Sequence, residues 1–211
     1  GSGCLGLGNK AMADVIGIGA VVYDVMVIGD GFPREDTKII VNERKNQCGG
    51  PVATALVAIS KMGLQAQQLG TVGCDAAGDF VLSELNGFGV DTSSVRRVEG
   101  TRSFFGLVYV NARNASRTCI VDRGSAPMPT EEDLDLEALK RAKYLHVDGN
   151  CLDFAIMAAR KAKEFGVKVS YDAGGNYPGV ENLLPLADIL IPSEEFARKL
   201  TNCERAVDAA K

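Results

Sequence analysis

The sequence predicts an α/β fold: a three-layer arrangement of a mainly parallel sheet between helices, with a small β-sheet lid. Three observations carry this. Apolar runs of strand length recur and are followed by segments of helical period, the order that builds parallel sheets. Glycine and proline sit where such helices start and stop. Two extended segments interrupt the alternation and can pair with each other away from the main sheet.

In chain order, VIGIGAVVYD (15–24) is apolar enough for a strand buried on both faces, and it ends at Asp24. TKIIVNE (37–43) is the first extended interruption. Val52, Ala55, Leu56, Ile59 and Met62 then fall on one helical face, with Pro51 suited to the first turn and Gly63 to the exit. AQQLGTVG predicts a short strand, and DFVLSELNGFG a helix carrying Phe80, Leu82 and Leu85. FFGLVYVNARNASRTCIVD predicts a hairpin, the second interruption, so that lid segments are expected at about 31–46 and 100–124. Thr130 to Asp133 has the form of a capping box. A strand at YLHVDG, a helix over about 152–165, and strands at VKVSYD and ADILIP complete the alternation. The first dozen residues spell GxGxxG with no strand before them; they are expected to be a cloning scar or disordered, leaving one domain over 13–211.

Composition removes several function classes. With 23 basic and 27 acidic side chains, a net charge of −4, the chain lacks the basic footprint of a nucleic-acid binder. No apolar run has the length of a membrane span. The 6 cysteines are scattered without a CxxC pair, which predicts reduced thiols in a cytoplasmic protein. The single histidine, His146, lies in an apolar strand and is expected to be structural, so neither a nucleophile–base pair nor a His/Cys metal site is predicted. GxSxG and P-loop patterns are absent. Gly17 and Gly19 suggest a dinucleotide turn, but the third glycine is missing.

In open parallel sheets ligands sit beyond the carboxyl ends of strands, which nominates Asp24, Asp148, Asp172 and Ser193. A carboxylate at Asp24 can accept bonds from neighbouring hydroxyls, and Gly49 and Gly50 let backbone amides approach a ligand at a helix start. Together these predict a polyhydroxylated ligand.

GGPVATALVAISKMG, QQLGTVGCDAAGD and GFGVDTSSV, followed by the TRSFFGLVYVNARNASRT hairpin and ADILIPSEEFARKLT, closely resemble the ribokinase-like (PfkB) carbohydrate kinases in content and order. The resemblance runs from Asp14 to Lys211. It implies a ribokinase-like domain that phosphorylates a sugar hydroxyl using ATP and Mg2+, with a lid that closes over the sugar and clasps a second subunit into a homodimer. It also implies a sugar site at Asp24, Gly49 and Gly50, to which we add Thr54, Phe104, Asp148 and Asn150, with Arg117 and Arg123 as lid or pocket residues. Asp172, Ser193 and Glu194 are assigned to the nucleotide and Glu195 to the metal.

The chain departs from the family pattern in three places. Thr54 stands where the family often has Asn, and Pro51 where it often has Lys or Gly, which implies a sugar other than ribose. Phe196 replaces an expected Glu, leaving Glu194 and Glu195 to cover the magnesium-water role. The family's GAGD-type motif, which supplies the catalytic base, is not matched: the base is expected beyond Lys211, and Asp79 of AAGD is expected to cap or solvate a helix. Two alternatives accompany the kinase reading: a sugar-binding partial homologue without turnover, and a nicotinamide-dependent oxidoreductase resting only on Gly17 and Gly19.

Overall fold

A computed structural model describes residues 12–209, so the expectation for the first dozen residues lies, Met12 apart, outside the described residues. The chain orders β1 (Val15–Ile18), β2 (Val22–Gly29), β3 (Glu43–Gly49), α1 (Pro51–Lys61), β4 (Ala66–Gly73), α2 (Ala76–Gly87), β5 (Val90–Val98), β6 (Phe104–Asn111) and β7 (Arg117–Asp122). It continues through α3 (Leu136–Arg141), β8 (Tyr144–Asp148), α4 (Leu152–Glu164), β9 (Lys168–Ala173), β10 (Ile189–Pro192), α5 (Glu194–Thr201) and α6 (Ala206–Ala209).

A six-stranded sheet in the order β10-β9-β8-β1-β4-β5 is parallel at every pairing. From β1 the chain winds outward through β4 to β5, then returns to β1's other side at β8, which makes the carboxyl end of β1 a topological switch point. Strand β1 is buried at all its positions because both faces are covered. Val52, Ala53 and Leu56 of α1 pack with Val81 and Leu85 of α2 on one face. Phe154, Ala155, Ala158, Ala159 and Ala162 of α4 pack with Leu139 and Phe196 on the other. Gly17 exists for this packing: a Cβ there would come within 2.6 Å of both Leu56 and Val52.

The lid is a four-stranded sheet, β3-β2-β6-β7, in which β2 and β6 run parallel and the two outer pairings are antiparallel. Here the structure differs from the sequence reading in two ways. VIGIGAVVYD is not one strand: β1 ends at Ile18, and β2 begins at Val22 in the other sheet, so Asp24 lies within a lid strand. TKIIVNE stays largely irregular, and the strand is the polar ERKNQCG that follows it, because β2 supplies a full antiparallel partner from Val22 to Ile28. The small sheet is therefore built from 22–29, 43–49, 104–111 and 117–122, and residues 31–42 of the first expected segment stay outside its strands.

Helix α1 starts with Pro51 in its first turn, after Gly50 at φ 102, and its exit passes Gly63 at φ 88. Its buried face is rotated from the predicted one, taking Ala53 and leaving Met62 exposed. The capping box at Thr130 and Asp133 is present, though it opens a single 3-10 turn ahead of α3.

Candidate functional site

A cleft opens at the switch point, between the carboxyl ends of the main strands and the lid. Gly19, Ala20, Val21 and Thr71 line it from the sheet, Phe104 and Arg123 from the lid side, and Asn150 and Cys151 from the start of α4, with Ala126 and Met128 beside them. Its floor is held by Asp148. That buried carboxylate accepts from the Ala20 amide at 3.2 Å and the Asn150 amide at 2.8 Å, tying the ends of β1 and β8 together. Burial pushes the Asp148 carboxyl above its ordinary value even though those hydrogen bonds oppose the shift. Gly19 is required beneath it, since a Cβ there would collide with the Asp148 carboxylate. Both glycines that suggested a dinucleotide turn thus serve packing, and β1 passes into a lid strand rather than a helix.

Asp24 stands on β2 next to this cleft rather than in its wall. Its carboxylate lies between Gly49 of β3 and Gly106 of β6, and a Cβ at either glycine would collide with it. No hydrogen bond or ion pair reaches it among the described residues, and burial raises its pKa above the ordinary carboxylate value. Gly50 follows directly, packed against the Ala20 carbonyl, and no side chain caps the amino end of α1 that it opens. Asp24 and Gly49 are therefore brought together, and Gly50 links them to the cleft wall through its approach to the Ala20 carbonyl.

Of the other predicted positions, Phe104, Asp148, Asn150 and Arg123 belong to the cleft and the rest lie away from it. Thr54 is exposed on α1. Asp172 ends β9 beside Asp148, while the Ser193 hydroxyl caps α5 by accepting from the Phe196 amide at 3.1 Å. Glu194 and Glu195 lie along α5 paired with Arg198 at 3.6 Å and Lys199 at 2.6 Å. A wide, shallow hollow lined by these side chains lies over α5, apart from the cleft. Arg117 is exposed on β7, and Arg123 sits 5.8 Å from the Phe104 ring centroid. Asp79 pairs with Arg97, and the cap of α2 is Asp75, which accepts from the Gly78 amide at 2.8 Å. His146 is buried, with Nδ1 3.2 Å from the Ser170 hydroxyl, and desolvation lowers its pKa. Gly106, Thr71 and the Ala20–Val21 pair went unread in the sequence.

A family model described as pfkB family carbohydrate kinase matches residues 12–211. The chain belongs to this family. Among curated pfkB relatives and others like them, the ATP-dependent ribose-1-phosphate kinase of Halopiger xanaduensis is 28% identical over 163 residues, 77% of this chain and 55% of that protein. Mouse (Mus musculus) ketohexokinase is 25% identical over 154 residues, covering 73% of this chain and 52% of its own length. This pfkB chain thus spans about half the length of the curated relatives it matches. The structure of Arabidopsis thaliana ribokinase complexed with ribose and ATP superposes with a TM-score of 0.79 at 26% identity, over 94% of this chain and 68% of that one. Among the described residues no helix is long and apolar enough to cross a membrane.

Proposed function

We propose that this chain carries the sugar-binding part of an ATP-dependent kinase that phosphorylates a hydroxyl of a sugar or sugar-like compound. The single observation behind this is the Asp24 carboxylate, half-buried and without a partner, slotted between two strands at positions where a Cβ on either neighbouring glycine would push it aside. Such a group is costly unless a ligand satisfies it, and vicinal hydroxyls do so by donating into both carboxylate oxygens. Asp24 orients the sugar, while the lid carrying it and Phe104 limits water at the reacting hydroxyl. The printed activities of the relatives, a ribose-1-phosphate kinase and a ketohexokinase, agree in kind.

ATP as donor is supported by the ribokinase complex. Magnesium would accompany its phosphates. Glu195 does not make a cation cage here, because Lys199 holds it and no group of three or more possible ligands occurs among the described residues. The lid's edge strand β7 is exposed on both faces, with Ile120 and Val121 bare on opposite sides, which supports a homodimer through the lid.

The test is calorimetric titration of the chain with a panel of pentoses, hexoses and nucleosides, alongside its D24A variant, and sugar-dependent ADP release measured in parallel. Saturable binding of at least one sugar, lost in D24A, supports the reading; a panel with no binder removes it. Binding without ADP release favours the non-catalytic alternative for this chain.

A further inference from the structure

Helix α2 packs on the main sheet through Val81 and Leu85, yet other residues along it reach the lid. The Phe80 ring makes a T-shaped contact with Tyr23 of β2, with centroids 5.0 Å apart and planes at 70°. One turn later, Glu84 accepts from the backbone amide of Cys48 in β3. Tyr23 and Cys48 are register partners across the two strands, so two neighbouring positions on α2 grip one cross-strand pair. At the amino end of the same helix, Asp75 holds the Ser103 hydroxyl and amide directly before Phe104 of β6. Strands β2, β3 and β6 of the lid are thus all tied to α2.

Successive strand residues point to opposite faces, so the lid face that meets α2 through Tyr23 and Cys48 carries Asp24 and Gly49 on its reverse. The slot that holds Asp24 therefore lies back to back with the α2 contact. Strand β3 is an outer strand of the lid sheet, and the Cys48 amide turns away from β2 to the side where no strand receives it. Glu84 supplies the acceptor instead, and it does so at the residue before Gly49. The Gly49 backbone runs close enough to Asp24 that a Cβ there would collide with the carboxylate, so a small shift of β3 widens or closes the slot. Burial, and then the charges of Glu84 and Asp24, push the Cys48 thiol up to about 12; both carboxylates act on this one residue.

We propose that Glu84 is a positioning residue of the sugar site: by holding the Cys48 amide it fixes the end of β3, and with it Gly49, against the Asp24 carboxylate. It acts through the strand rather than on the ligand. This rests on the sugar-binding reading above and adds what keeps its slot in place.

The experiment is calorimetric titration of the 211-residue chain with pentoses, hexoses and nucleosides, led by ribose, fructose and adenosine. The tightest binder is then titrated into E84A, E84Q, D24N and the E84A/D24N double variant, each checked by its melting curve. E84A is expected to weaken binding by about tenfold or more, and E84Q, which keeps an acceptor oxygen, to restore most of it. In the D24N background the E84A loss should shrink by at least about threefold, because the charge that Glu84 helps to place is gone. D79A, which removes an exposed ion pair with Arg97 from the same helix, should leave the affinity unchanged. Should E84A not fold, E84D, which keeps the charge and shortens the reach, takes its place in the same cycle. Wild-type affinity in E84A, a loss that E84Q does not restore, fully additive losses in the double variant, or a matching loss in D79A overturns the inference while leaving a sugar site in place. If no sugar binds the wild type, the sugar-binding reading itself fails and the inference with it.

Discussion

Replacing Asp24 by Asn separates what this residue costs the fold from what it gives a ligand. The carboxylate is half-buried, has no partner, and has its pKa raised by desolvation from 3.8. A raised folded-state pKa means that the group's contribution to stability is present below pH 3.8 and lost as pH rises through the raised value. At neutral pH the charge therefore opposes folding. Asn has the same shape and fits between Gly49 and Gly106 without the charge. Because the site is half open to solvent, the gain in D24N is discounted to about 1 kcal/mol or less, a rise of about 2–4 °C in Tm for a chain this size. Binding should move the opposite way. Hydrogen bonds to a charged group contribute about 1.5–3 kcal/mol and neutral ones about 1, so losing the charge costs about 1–3 kcal/mol of sugar affinity. That is roughly ten- to hundredfold in Kd. Differential scanning fluorimetry of the free proteins from pH 3 to 8, paired with calorimetry, reads both. A D24N protein that melts lower at pH 7, or binds sugar as well as the wild type, would refute the reasoning.

Three further outcomes follow from the same geometry. G106A should leave the melting temperature nearly unchanged, since the colliding atom is the movable end of Asp24, yet reduce sugar affinity by about tenfold or more as the carboxylate is pushed from its slot; calorimetry checks it. D75A should cost about 2–4 kcal/mol in urea unfolding, because Asp75 caps α2 and also accepts from the Ser103 hydroxyl at 2.6 Å and amide at 2.9 Å where the chain enters β6. Desolvation would raise the Asp75 carboxyl, but the bonds from Ser103 and Gly78 outweigh it and hold the pKa low, so its stabilisation exists above pH 3.8 and fades as pH falls through the lowered value. Alkylation by iodoacetamide at pH 8, followed by mass spectrometry, should label the exposed Cys119 first among the cysteines of the described residues, with Cys48 and Cys151 slow because burial pushes both thiols to about 12.

Strands β1, β8 and β9 were legible because strands covered on both faces are largely apolar, whereas β5, the polar VDTSSVRRV at the sheet edge, was not among the expected strands; Pro51 and Gly63 mark the ends of α1 where the structure puts them. The lid was only half legible. An apolar run gives no sign of leaving one sheet for another, and the break between Ile18 and Val22 shows only once both sheets are seen. ERKNQCG carries no strand signal of its own, since it is a strand only by virtue of β2 beside it. Thr54 and Glu195 were assigned through family positions, and the structure places one in solvent and the other in an ion pair with Lys199. Asp24 was nominated as the end of a parallel strand, a route the structure does not follow: it lies inside a lid strand. What distinguishes it is the absence of side chains at Gly49 and Gly106, residues on two other strands that only pairing brings alongside. A carboxylate kept unpartnered by its neighbours in this way is a property of the folded sheet. The lone Gly106 gave no local hint of it, being one glycine among 24.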